Sequence, residues 1–201
     1  TVSFSGETVT LAAQKDCSDT RFSVSVAFPE WEEDAYVFLP ACAYNGNRFK
    51  RRKTNYPPEY TPEECGVDPA PVTTEVPALN PDGSGKIEVT SGDLSVPCFG
   101  VFFRHKQRAF FVFTEQACKG KNIGFCVESG KLTVQFPAIR SKCYRICRTD
   151  EPSNDSGFFA AAGETISSKV LIKEFACRDV PAFFEIFFQN RRCLLSDAPA
   201  N

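Results

Sequence analysis

The residues best suited to bind a ligand follow an apolar strand pattern that ends near position 43. Tyr44, Asn45, Asn47 and Arg48 come directly after it. Amides and a guanidinium beside aromatic rings are groups that can hold sugar hydroxyls and sugar ring faces. The alternative is a tight turn leading into an exposed basic loop, because Asn-Gly is a strong turn signal. The residue types favour neither interpretation over the other.

A second candidate contact lies at the end of the apolar run 110–113, where Glu115 and Gln116 follow. Glycoside hydrolysis uses a pair of carboxyl groups facing each other across the substrate. The spacing of this chain does not pair Glu115 with a second carboxylate. We therefore predict substrate contacts at Glu115 and Gln116 and assign no catalytic residue.

The sole Trp and the sole His lie in charged surroundings. Trp31 is flanked by the acidic residues of the run 30–34, and His105 lies between Arg104 and Lys106. We interpret the acidic run as a solvated surface and His105 as part of a solvated turn. A single His excludes a His triad and a His-rich metal site. We expect neither a metal nor a cofactor.

The charge balance and hydropathy exclude two classes of partner. The net charge is −2, whereas domains that bind nucleic-acid backbones carry a marked basic excess. No apolar run approaches the ~18–20 residues that cross a bilayer. We therefore expect no nucleic-acid partner and no membrane span.

The ten cysteines bear on the cellular compartment. Several of them, such as Cys42, Cys126 and Cys177, lie inside apolar patterns, where a free thiol behaves as a small hydrophobe. We favour free buried thiols and a cytoplasmic protein. The alternative is a secreted chain with a partial set of disulfides. Cys143 and Cys147 lack the spacing of a redox pair or zinc knuckle.

Alternating and continuous apolar runs predict a mainly β fold, an antiparallel β-sandwich of one domain over 1–178. The predicted strands and hairpins are 8–12, 21–28, 36–39, 86–90, 101–103 with 110–113, 122–127 with 132–136, 142–147 and 169–175. The segment 53–85 contains seven prolines and is predicted to be a docked arm without regular pairing. A polar loop is predicted over 150–163.

One amphipathic helix is predicted over 179–195. Asp179 can cap it, and Pro181 lies in its first turn, where a missing N–H does no harm. Val180 and the phenylalanines fall at helical spacing along one face, which needs a large apolar partner: Phe183, Phe184, Phe187 and Phe188.

Five runs together resemble the N-terminal β-sandwich of uncharacterised bacterial proteins related to glycoside hydrolases. They are LPACAYNGNRF at 39–49, YPP at 56–58, GVFF at 100–103, FTEQ at 113–116 and PAFFEIFF at 181–188. In that family a supersandwich similar to the galactose-mutarotase fold precedes an (α/α) toroid. The connecting helix packs between the two.

The resemblance implies an ancillary, carbohydrate-binding-type domain. The catalytic carboxylates of such enzymes usually lie in the helical domain, which the single predicted helix of this sequence cannot form, and the sandwich lends a loop to the sugar cleft. The phenylalanine face would then contact that helical domain. Two alternatives remain: a stand-alone, secreted, disulfide-stapled binding module, and a small complete enzyme in which Glu115, Arg48 or His105 converge.

Overall fold

The computed structural model describes residues 1–45, 54–56, 63, 72–74, 78–80, 82–140 and 156–194. A helix that we call α1 (Val180–Asn190) follows the strands, and a short 3-10 turn spans Ser91–Asp93. The strands are β1 (Val2–Ser5), β2 (Thr8–Ala12), β3 (Cys17–Thr20), β4 (Phe22–Ala27), β5 (Tyr36–Leu39), β6 (Ala43–Tyr44), β7 (Thr54–Tyr56), β8 (Val72–Thr74), β9 (Ala78–Leu79), β10 (Gly85–Thr90), β11 (Cys98–Phe103), β12 (Arg108–Thr114), β13 (Ala117–Cys118), β14 (Lys121–Asn122), β15 (Gly124–Glu128), β16 (Lys131–Phe136), β17 (Phe158–Ala160) and β18 (Thr165–Ala176).

Two antiparallel sheets form the predicted β-sandwich. The larger sheet has the order β1-β2-β18-β12-β11-β5-β6, and the smaller has the order β4-β16-β15-β10-β9. Alternate residues of both sheets meet in one apolar core, since successive side chains of a strand point to opposite faces. Phe99 and Val101 line it from the larger sheet, and Phe125 and Val134 from the smaller.

Both predicted hairpins are confirmed. Strands β11 and β12 pair from Cys98↔Phe113 to Phe103↔Arg108, and β15 pairs with β16 around the turn Ser129–Gly130. Ser129 and Gly130 both have positive φ, as a two-residue hairpin turn of type I′ requires. Strand β4 joins this sheet with Ala27 opposite Lys131, so the loop after β4 begins beside that turn.

Helix α1 covers the outer face of the larger sheet and builds a second apolar layer. Asp179 caps the helix, because its carboxylate accepts a hydrogen bond from the Ala182 N–H at 2.8 Å. Phe183 and Phe187 are buried against a sheet face that includes Phe38 and Phe111. The helix ends at Asn190, five residues before the predicted end. It is too short to cross a bilayer, and no helix in the described part of the chain meets that requirement.

Three predicted features differ from the structure or lie outside it. The arm does contain pairing, between β7 and β8, because neither strand includes a proline and each keeps its backbone donors. The predicted loop 150–163 contains β17, which pairs with β3. The predicted strand 142–147 lies outside the described residues.

The described cysteines are free thiols, four of them buried: Cys98, Cys118, Cys126 and Cys177.

Candidate functional site

The predicted ligand-binding run is described only in part. Tyr44 ends β6 with 47% of its surface exposed, and its ring centroid lies 5.7 Å from that of Phe38. Asn45 has a φ of 48°, the left-handed conformation that the Asn-Gly turn interpretation requires. Asn47 and Arg48 lie outside the described residues. An exposed aromatic ring at a sheet edge is therefore what this run contributes to the described surface.

Glu115 and Gln116 line a cavity of about 110 Å³ beside the end of α1, together with Arg191. Their polar groups also have structural partners. The Glu115 carboxylate accepts hydrogen bonds from the Ser168 hydroxyl at 2.8 Å and the Lys169 N–H at 2.9 Å. The Gln116 amide donates to the Ser91 carbonyl at 3.1 Å. Both side chains thus brace the end of β12, and the cavity is small for a sugar.

Glu115 and His105 do not converge on one cleft. His105 lies in the turn before β12, and Glu115 follows the last residue of the same strand. Seven residues of extended chain separate the two ends of β12 by about 20 Å. The geometry therefore does not support a compact active site that uses both residues.

A larger groove opens at the end of the sandwich where β4 meets the β15–β16 turn. It encloses about 470 Å³ between the loop after β4 and the hairpin turn. The lining combines two aromatic side chains, a carboxylate, a hydroxyl and an ammonium group: Ala27, Phe28, Pro29, Trp31, Glu128, Ser129, Gly130 and Lys131. We call it the Trp31 groove.

The Trp31 side chain packs closely against its neighbours in this groove. Its ring makes edge contacts with Phe28 and Phe103 at centroid distances of 6.0 and 5.6 Å. Two glycine turns press against the same side chain: a Cβ on Gly83 would lie 2.7 Å from Trp31 Nε1, and one on Gly130 would lie 3.1 Å from Trp31 Cβ. The indole N–H is buried, and no described residue accepts a hydrogen bond from it.

The loop that carries Trp31 also contacts the β11–β12 turn through charged groups. Glu32 accepts hydrogen bonds from the backbone N–H groups of His105 at 3.0 Å and Lys106 at 3.2 Å. The Lys106 ammonium lies 2.9 Å from the Glu30 carboxylate, and this hydrogen bond lowers the pKa of Glu30. Asp34 Oδ1 lies 3.6 Å from His105 Nε2.

Sequence patterns predicted neither the Trp31 groove nor the contact between Glu32 and the His105 turn. The acidic run and the His105 turn are interpreted from sequence as separate solvated surfaces, because 73 residues separate Glu32 from His105. The only sequence signal for this contact was composition. The sole Trp lies within the acidic run, and the turn that this run contacts contains the sole His. Their meeting depends on the pairing of β5 with β11, which periodicity alone does not specify.

Comparison of the chain with protein-family models, with curated proteins and with solved structures found no match.

Proposed function

We propose that this protein is a non-catalytic, carbohydrate-binding-type sandwich domain that takes a neutral sugar in the Trp31 groove. The single observation that carries the proposal is the composition of that groove. One indole is held at fixed orientation beside Glu128, Ser129 and Lys131. An apolar platform with a few convergent polar groups is the usual make-up of a small-ligand site.

The dimensions of the groove support a sugar of one or two residues. Ligand pockets usually measure about 300–1,000 Å³, and this groove falls within that range at about 470 Å³. Glu128 and Lys131 face each other across the hairpin as the last paired residues of β15 and β16. The hydroxyl groups of a neutral sugar both donate and accept hydrogen bonds. A carboxylate, which accepts hydrogen bonds, and an ammonium group, which donates them, therefore suit such a ligand.

The rigidity of the Trp31 loop also favours binding. The two glycine turns and the Phe28 and Phe103 rings restrict the indole before any ligand arrives. A side chain that is already ordered loses little further entropy on association, so more of the contact energy remains as affinity.

We further propose that this sandwich is an ancillary domain of a glycoside hydrolase, with a sugar cleft and a helical domain beside it. Tyr44 and Asn45, with Asn47 and Arg48, would lend a loop to a sugar cleft, and a helical domain would pack against α1. Phe183 and Phe187 are already buried within this chain. The surface left for that domain is Phe188, 56% exposed, with part of Phe184.

The test uses the fluorescence of Trp31, which no other Trp obscures. We would titrate the protein with neutral oligosaccharides of glucose, galactose, mannose and xylose. A saturable change in Trp31 emission is expected with at least one of them. Lys131→Ala should weaken binding about tenfold, because a hydrogen bond from a charged donor contributes about 1.5 kcal/mol or more.

The control is Phe159→Ala, which removes another exposed ring, 67% exposed, from β17. The neighbouring Phe158 packs near Phe22, at the opposite end of β4 from the groove. The affinity of this variant should equal that of the unaltered protein. Absence of binding to every sugar would refute the function. If Tyr44→Ala abolished binding while Lys131→Ala bound sugar as tightly as the unaltered protein, the sugar would not bind in the Trp31 groove.

A further inference from the structure

We propose that Glu32, Asp34 and His105 form a binding site for a divalent transition-metal ion, with Zn²⁺ as the best-suited ion. The three side chains come from two separate segments, the loop between β4 and β5 and the turn between β11 and β12. Their ligand atoms all lie within 4.8 Å of one another. The proposal is independent of sugar binding in the Trp31 groove.

The distances suit a small ion. Zinc bonds to imidazole nitrogen and carboxylate oxygen measure about 2.0–2.2 Å, so two ligand atoms of a tetrahedral ion lie about 3.4 Å apart. His105 Nε2 and Asp34 Oδ1 are 3.6 Å apart. These two side chains are 81% and 49% exposed and can rotate to close the remaining separation to Glu32.

Glu32 provides the fixed point of the site. Its two carboxylate oxygens accept hydrogen bonds from consecutive backbone N–H groups, those of His105 and Lys106. A carboxylate oxygen has a further lone pair, so these bonds leave room for a metal. The same bonds hold the two segments together. Carboxylates that are ordered by hydrogen bonds make better metal ligands, since less entropy is lost when the ion binds.

The charges around the site favour a cation. The ammonium group of Lys106 lies against Glu30, where it contacts both the carboxylate and the backbone carbonyl. Its charge is therefore paired with Glu30, which is not one of the three ligands. Glu32 and Asp34 provide two carboxylate groups beside the imidazole of His105. A nitrogen ligand with two carboxylates suits Zn²⁺ better than Ca²⁺ or Mg²⁺, which prefer oxygen ligands alone.

The test follows the imidazole signals of His105 by NMR while Zn²⁺ is added to the full chain. Because the chain has one His, these signals report this site alone. The background would carry a Cys→Ser change at each thiol that the structure does not show to be buried, since accessible thiols also bind zinc. These are Cys17, Cys42 and Cys193 among the described residues, and Cys65, Cys143 and Cys147 outside them. We expect a saturable shift at one equivalent and no such shift with Ca²⁺ or Mg²⁺.

The matched variants are Asp34→Asn and Glu33→Gln. Each removes one negative charge from the same loop, but only Asp34 is among the proposed ligands. Asp34→Asn should raise the Kd for Zn²⁺ at least tenfold, and Glu33→Gln should change it less than threefold. An equal loss in both variants would show diffuse charge attraction in place of a site. An unchanged His105 spectrum at millimolar Zn²⁺ would also overturn the proposal.

Discussion

The ring of Phe183 in α1 stacks on the ring of Phe111 in β12, with centroids 4.6 Å apart and planes inclined by 24°. Gly100, on the neighbouring strand β11, makes this contact possible. A Cβ on Gly100 would lie 2.7 Å from Phe183 Cζ and 2.8 Å from Phe111 Cε1. The missing side chain of one residue therefore lets the helix pack closely on the sheet.

Gly100→Ala should lower the free energy of unfolding by about 1–3 kcal/mol, because an added methyl group overfills a packed layer. Urea denaturation would measure the loss. The double variant Gly100→Ala with Phe183→Leu tests the cause, since the shorter side chain vacates the position of Phe183 Cζ. The second change should cost less in the Gly100→Ala background than alone. Strictly additive effects would contradict this account of Gly100.

The phenylalanines of α1 should differ sharply in their contribution to stability. Phe183 is fully buried, so Phe183→Ala should lower the free energy of unfolding by about 3–5 kcal/mol. Phe188 is 56% exposed, and Phe188→Ala should change the free energy of unfolding by no more than about 0.5 kcal/mol. The two variants remove the same atoms from one helix and serve as each other's control in thermal or urea unfolding. A loss at Phe188 equal to that at Phe183 would contradict the observed packing of the helix.

The cap of α1 should contribute measurably to stability. Asp179→Ala removes the acceptor of the Ala182 N–H and should cost about 1 kcal/mol of folding free energy. Asp179→Asn is the control, because an asparagine oxygen can accept the same hydrogen bond and caps helices well. Equal losses in the two variants would show that the negative charge, and not the capping geometry, stabilises the helix end.

Stability should decline in alkaline solution, in part through Cys118. Burial, followed by the nearby Glu115 carboxylate, raises the pKa of this thiol from 9.0 to about 11. Between pH 9 and 11 the unfolded chain loses this proton while the folded chain keeps it. The unfolded state is thereby favoured, by up to about 2 kcal/mol at the upper end.

The measurement is the free energy of unfolding from pH 8 to 11 for the unaltered protein and for Cys118→Ala. The variant should show a shallower decline, because it has no thiol to ionise at this position. Other thiols with a raised pKa, such as the half-buried Cys42 with its pKa of about 11, keep part of the slope in both proteins. Identical slopes would mean that Cys118 ionises alike in the folded and unfolded chains.

Local patterns predicted the strands and hairpins well where one face of an element is buried. The alternation of Phe22, Val24 and Val26 marks β4, and all three contribute to the core between the sheets. The start of α1 was predicted from the capping residue Asp179, from Pro181 in the first turn and from the helical spacing of the phenylalanines. These features depend on residues within a few positions of one another, so the sequence contains them directly.

The prediction of the site was less complete. Of the six residues predicted to contact substrate, Asn47 and Arg48 lie outside the described part of the chain. Glu115 and Gln116 have internal hydrogen-bond partners, and Tyr44 and Asn45 lie at a sheet edge. The Trp31 groove was not predicted, because its walls come from two segments about 100 residues apart.

The sequence by itself determined the fold class and the apolar face of α1, since side-chain periodicity of two or of 3.6 residues is a local property of the backbone. Only the tertiary structure decided that this face packs on the chain's own sheet around Gly100. It also brought Trp31 beside the β15–β16 turn and Glu32 beside His105. Such meetings depend on which strands pair and in what register, and those choices minimise the free energy of the whole chain.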